Sequence, residues 1–315
     1  MLRLNRMASA DRRLARLPAF ADRLAEDSGR AVSVSSLSRW ENGLTTVPYW
    51  AASSYERILD MPAGLLVATA DTVYRYHQAP TWTSPQWARQ RLSAAEGNID
   101  DLLDRVAHDG DMASGDWDRL SGVISGRPGL VLTPAVTWVR MAERLLLELS
   151  IADGLSWMAR AEAYHRLIAH PNGQLPAIAT AAAAAADPAA QSMIGSLSVF
   201  NATVHPDASS VVVGQVVNAT TTRTFYGALL TSAKKLKYGH YTDRQAAELL
   251  PVLVELCEHG SWERVRLGIR LVRQLPQPLL ARLSSRLRGL ARADDPVWPG
   301  NTCGRSATAS RRTSI

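Results

Sequence analysis

Cysteine is nearly absent: the chain of 315 residues holds only Cys257 and Cys303. One lies in an apolar stretch and the other in a polar tail, so no disulfide framework is expected. Long apolar runs are missing as well. The best candidate, residues 177–186, is mostly alanine and far short of the roughly eighteen residues a bilayer span needs. The start, Met1-Leu2-Arg3-Leu4-Asn5-Arg6, lacks the apolar core of a secretion signal. Cytoplasmic residence, with no membrane partner, is the expectation. Lysine is confined to Lys234, Lys235 and Lys237, while arginine and alanine abound, a usage that points to a GC-rich bacterial genome.

The recurrent signatures of catalysis are missing too. The sequence has no G-x-G-x-x-G, no phosphate-binding P-loop, no G-x-S-x-G and no H-E-x-x-H. Cys257-Glu258-His259 is a C-x-H without further ligands, and Asp100-Asp101 and Asp294-Asp295 read as solvated caps. These absences argue against an enzyme and call for no cofactor and no metal.

What the chain does have is ample apolar content and a positive balance. Hydrophobic residues make up 46% and charged residues 20%, enough for a sizeable core. The net charge is +6 and the isoelectric point near 9.6, which suits a polyanionic partner. Residues 1–40 carry eight arginines against four acidic residues.

Apolar periodicity predicts an all-α chain. A basic helix is expected over 2–17, with Pro18 in the first turn of the next and Phe20, Leu24 and Ala25 on its buried face. Helices follow over 33–42, 50–59 and 62–67. Residues 1–75 read as one domain and 76–97, rich in Pro and Thr, as a linker anchored by Trp82 and Trp87. A helix runs from 98 or 100 to 108, and Gly and Pro break up 109–134. Helices of about 14–18 residues then succeed one another through residues 134–152, 155–169, 173–186, 188–204, 207–221, 223–238, 242–259, 261–274 and 276–291. Residues 98–293 form a second, helical domain and 294–315 a disordered tail. Alanine at 177–186 predicts a tightly packed inner helix. The lysine-rich turn Lys234-Lys235-Leu236-Lys237 with Tyr238 and Tyr241 could meet phosphate. The simpler reading is a helix C-terminus complemented by cations.

The stretch richest in chemistry is Val32-Ser33-Val34-Ser35-Ser36-Leu37-Ser38-Arg39-Trp40-Glu41-Asn42-Gly43. Ser33 suits an N-cap. Leu37 and Trp40, three apart, share a face that can bury, while Val34, Ser35, Ser36 and Arg39 fall on the other side. Gly43 can stop the helix in the left-handed region. Small hydroxyls at the helix start permit close approach to base edges, and Arg39 can reach a guanine or a phosphate.

This stretch resembles the recognition segment of the Cro and phage-repressor (XRE-like) helix-turn-helix family, roughly V-S-x-x-T-I-S-x-W-E-x-G. Ser36 stands for Thr and Leu37 for Ile. Leu24-Ala25-Glu26 upstream, and Pro48 and Tyr55 to Pro62 downstream, extend the likeness over about residues 1–75. Two departures stand out: a surplus around Gly29-Arg30 before the motif and one extra residue between Gly43 and Pro48. The resemblance implies a domain of five helices on double-stranded DNA, a homodimer and a two-fold-related site. It implies DNA contact by Ser33, Val34, Ser35, Ser36, Arg39, Asn42 and Thr45, with Leu37, Trp40, Glu41 and Gly43 holding the motif together. One of Arg12, Arg13 or Arg16 is expected to pair with Glu41.

Successive helices at a period of 30–40 residues make the second domain similar to HEAT-type α-solenoid repeats, with a helical bundle as the rival. It would dimerise, sense a signal or hold a protein partner. Two other readings stay open: a protein–protein adaptor on a helical-repeat scaffold, and a nucleic-acid enzyme on such a scaffold. An ordinary amphipathic helix with a glycine cap would also produce the motif.

Overall fold

A computed structural model of the protein describes residues 1–77, 99–187, 189, 193–219 and 221–293. The expected linker, with Trp82 and Trp87, lies almost wholly outside the described residues, as do Cys303 and the expected tail. Among the described residues every regular element is a helix, arranged as a helical repeat or bundle. No described helix is long and apolar enough to cross a membrane.

The N-terminal part comprises α1 (Leu2–Met7), α2 (Leu17–Ser28), α3 (Val34–Glu41), α4 (Tyr49–Ile58) and α5 (Leu65–His77). Its core gathers Leu2, Phe20, Ala21, Leu24, Leu37, Tyr55 and Leu66. Pro18 sits in the first turn of α2, where its missing N–H costs nothing. The basic helix expected over 2–17 stops at Met7. Asp11 draws the chain into a turn, its carboxylate accepting from the Arg13 N–H at 2.8 Å and its carbonyl from the Leu14 N–H at 3.0 Å.

The rest is α6 (Ile99–Ala107), α7 (Ser114–Ser125), α8 (Val136–Ile151), α9 (Gly154–Ala169), α10 (Gln174–Ala186), α11 (Met193–Ser198), α12 (Pro206–Val217), α13 (Thr222–Lys237), α14 (Asp243–Glu248), α15 (Leu250–His259), α16 (Trp262–Val272) and α17 (Gln277–Ala293). One continuous apolar core runs from Leu102 to Leu283.

Further boundaries depart from the sequence reading, among them that of the helix expected over 188–204, which ends at Ser198. Helix α7 occupies ground read as broken by glycine. Gly115 permits close approach rather than a break: a Cβ there would lie 3.0 Å from the Ala63 carbonyl oxygen. Helix α5 continues ten residues past the expected end at Val67, because its far half packs against α9. The stretch 242–259 divides at Leu249, with Pro251 in the first turn of α15. In the alanine helix α10, Ala177, Ala181 and Ala185 form one buried stripe while Ala179, Ala183 and Ala186 face solvent. It is inner on one side only.

Candidate nucleic-acid interface

Ser33 caps α3: its backbone is extended (φ −84, ψ 148) and its Oγ accepts from the Ser36 N–H at 3.1 Å. The same Oγ shares hydrogen bonds with the Ser35 hydroxyl at 2.9 Å and the Ser36 hydroxyl at 2.8 Å. Three hydroxyls are thus drawn together at the start of the helix. At its far end Gly43 takes φ +70, and the Leu44 N–H bonds back to the Arg39 carbonyl at 2.9 Å.

The inward face of α3 is pinned at three points. Leu37 is fully buried. Trp40 is half-buried rather than a full core residue, its ring meeting Trp50 of α4 edge-on with centroids 5.7 Å apart. The Glu41 carboxylate is enclosed and accepts from Arg6 Nε at 2.6 Å, Arg6 Nη2 at 2.8 Å and the Tyr55 hydroxyl at 2.9 Å. The hydrogen bonds to Glu41 raise the Arg6 pKa against the opposing effect of burial. Burial, then the Glu41 charge, pushes the Tyr55 phenol far up, so it stays a donor.

The expected partner of Glu41 is thereby corrected. Arg12, Arg13 and Arg16 are exposed in or just after the turn that follows α1. Leu2 and Arg6, four apart on α1, are both buried on one face, and that spacing was the signal available in the sequence.

The outward face carries Val34, Ser35, Arg39 and Asn42, all exposed, with Ser38 half-buried between them. Ser35, Arg39 and Asn42 follow each other at helical spacing and form one row, and Asn42 Nδ2 donates to Ser38 Oγ at 3.3 Å. Ser33 is exposed at the cap, whereas Ser36 and Thr45 are half-buried. The structure therefore brings Ser33, Val34, Ser35, Arg39 and Asn42 to one open surface, with Ser36 at its edge and Thr45 in the loop beyond it.

One cation absent from the expected set stands close by. Arg30, exposed in the turn after Gly29 (φ +64), lays its guanidinium over the Trp50 ring, 5.2 Å from the centroid.

Behind this surface a buried ionic network ties α5 to α7 and α9. Glu56 of α4 caps the first turn of α5, accepting from the N–H groups of Gly64 at 2.7 Å, Leu66 at 2.6 Å and Val67 at 3.2 Å. Burial outweighs those donors and lifts the Glu56 pKa to about 7. Further along α5, Asp71 accepts from Arg166 at 2.6 Å and Arg75 donates to Glu162 at 2.6 Å. Arg166 also holds Asp118 of α7 at 2.8 Å. Burial opposes the charged form of Glu162, yet Arg75 and Arg166 keep its pKa low, while burial lowers that of His165 beside it. Spacing offers only the local acid–base pairs four apart, Asp71 with Arg75 and Glu162 with Arg166; the bonds between helices join residues up to 95 apart and leave no such signal.

The lysine turn divides: Lys234 and Lys237 are exposed, Lys237 with its Nζ 5.1 Å from the centre of the Tyr238 ring, and Lys235 faces inward. Lys235 is fully buried, with Nζ donating to the carbonyls of Phe200, at 3.1 Å, and Thr203; burial pushes its pKa down to about 7. Among the described residues no group of three or more His, Cys, Asp or Glu is placed to hold a metal.

Compared with protein-family models, with curated proteins and with solved structures, the chain has no match.

Proposed function

We propose that the protein is a sequence-specific DNA-binding regulator in which α3 enters the major groove. The observation that carries this reading is the division of α3 into two faces. One face is pinned by Leu37, Trp40 and the Arg6–Glu41–Tyr55 cluster, and the other is an open row of Ser35, Arg39 and Asn42. A groove about 12 Å wide admits a helix that presents short polar side chains at its start and a long cation one turn later.

The helical body from α6 onward would dimerise the protein or hold a partner protein. An apolar strip supports that role: Leu147, Ile151 and Leu155, at the end of α8 and the start of α9, are exposed. A dimer would place two copies of α3 about one helical turn apart on a two-fold-related site.

Selection of duplexes from a random pool by the full chain, followed by fluorescence anisotropy, tests the reading. Arg39→Ala should weaken the selected duplex by about 1–3 kcal/mol and relax preference at one position of the site. Enrichment of no sequence by the parent protein, or equal affinity of the folded variant and parent, would remove α3 from base readout.

A further inference from the structure

We infer that Arg30 is a backbone clamp: its guanidinium, held against Trp50, binds a phosphate of the strand flanking the groove that α3 enters. The inference rests on the DNA-binding reading above and adds a contact outside the recognition helix.

Position is the first ground. The side chains of successive α3 residues turn by about 100° each, which puts Ser35 and Arg39 near the tip of the helix. Trp40 comes about 100° further round, with Ser36 between it and Arg39. Trp50 meets the ring of Trp40 at 5.7 Å, and Arg30 lies on Trp50. Arg30 is thus joined through Trp50 to Trp40, which stands on the Ser36 side of α3, and it comes three residues before the Ser33 cap. A helix about 10–12 Å across nearly fills a major groove about 12 Å wide. Groups at its tip meet base edges, and groups at its flank meet the phosphate walls.

Charge and preorganisation are the second ground. Arg30 is exposed and pairs with no carboxylate among the described residues, in contrast to Arg6, Arg23 and Arg57 of the same part of the chain. A guanidinium held over an indole by cation–π attraction keeps N–H groups available for two oxygens of a phosphate. The contact also removes part of the side-chain entropy that ordering a long cation would otherwise cost. The turn serves this placement: Gly29 at φ +64 reverses the chain after α2 without the penalty of a Cβ, and Arg30 follows at once. The residues in surplus over the usual short turn thus deliver a cation just ahead of the Ser33 cap.

A phosphate contact has a signature that a base contact lacks. Each neutralised phosphate contributes about 0.9 to the slope of log K against log salt, irrespective of sequence. The experiment uses the full chain, a selected duplex and a scrambled one, each titrated over a range of salt. Arg30→Ala should lower affinity for both duplexes by a similar factor, about tenfold, and reduce the slope by about 0.9. Arg30→Lys should restore the slope, because the charge remains, but only part of the affinity, because an ammonium lacks the planar fork that binds two oxygens. Arg39→Ala, as the contrast, should act on the selected duplex alone. An unchanged slope in Arg30→Ala overturns the clamp even when Arg39→Ala behaves as expected. A slope still reduced in Arg30→Lys overturns it too, since the charge would then not be what matters. A parent protein that binds no duplex overturns the clamp together with the DNA reading on which it rests.

Discussion

At the scale of single residues, Arg6 and Glu41 hold the inward face of α3 in place. Both side chains are enclosed and bonded to each other, with Tyr55 completing the set. Neither charge can be left alone in such a place, because the desolvation already suffered is offset only by the partner. Arg6→Ala and Glu41→Ala should each destabilise the protein by roughly 3 kcal/mol, and the double variant by clearly less than the sum. Arg12→Ala, Arg13→Ala and Arg16→Ala should stay within about 0.5 kcal/mol of the parent. Urea unfolding of this series measures the coupling energy. Strict additivity for Arg6 and Glu41 would show that the bond contributes nothing to stability. The distinction among these arginines depends on where α1 ends, and the local turn around Asp11 decides that.

At the scale of elements, α5 joins the two parts of the molecule. Its first turn is capped by Glu56 from the N-terminal part, and its later turns carry Asp71 and Arg75 into the helical body. Gly64, at φ +81 just before α5, lets the two parts approach, for a Cβ there would lie 2.6 Å from an Asp118 carboxylate oxygen. The cap makes stability depend on pH. Glu56 has a folded pKa near 7 against an ordinary value of 4.5, so between these values the folded state binds the extra proton. Stability from this group is full below about pH 4.5 and declines as pH rises to 7, by on the order of 3 kcal/mol. A cleft of about 810 Å³, lined by Glu56, Arg57, Gly64, Asp116, Asp118 and Arg119, gives water and protons access to it. Comparing the unfolding of the parent with that of Glu56→Gln from pH 4.5 to 7.5 isolates the term. The advantage of the parent should shrink as pH rises; a constant difference would mean that Glu56 does not take up a proton.

At the scale of the whole molecule, the same network argues for one cooperative unit. Arg166 is buried between Asp71 of α5 and Asp118 of α7, and Glu162 next to it holds Arg75. Separating the N-terminal part from the body would strand these charges in apolar surroundings, at a cost of several kcal/mol. The full chain should therefore show a single calorimetric transition, and Arg166→Met should lower the melting temperature of the whole rather than split it. Two resolved transitions in the parent would refute the coupling. A fragment ending at residue 75 cuts α5 and strips Asp71 and Arg75 of their partners, so it should melt below the full chain and bind DNA more weakly.

Much of α3 was legible in the amino-acid sequence because its causes are local. A serine cap, a glycine stop and apolar residues three apart all act within one or two turns, so Ser33, Leu37 and Gly43 could be placed before any coordinates. The all-α character followed in the same way, from a period of 3.6 sustained along the chain. Tertiary structure alone decided the rest. Arg6 rather than a later arginine meets Glu41 because the chain turns at Asp11. Trp40 and Trp50 are both half-buried, because their rings meet edge-on at the margin of the core rather than within it. Gly115 in the first turn of α7 leaves room for the Ala63 carbonyl, and α5 runs on to His77 with its Asp71 bonded to Arg166, 95 residues away. A bond between residues far apart in the chain leaves no period and no spacing. It exists only once the packed helices have excluded the water that would otherwise solvate both charges.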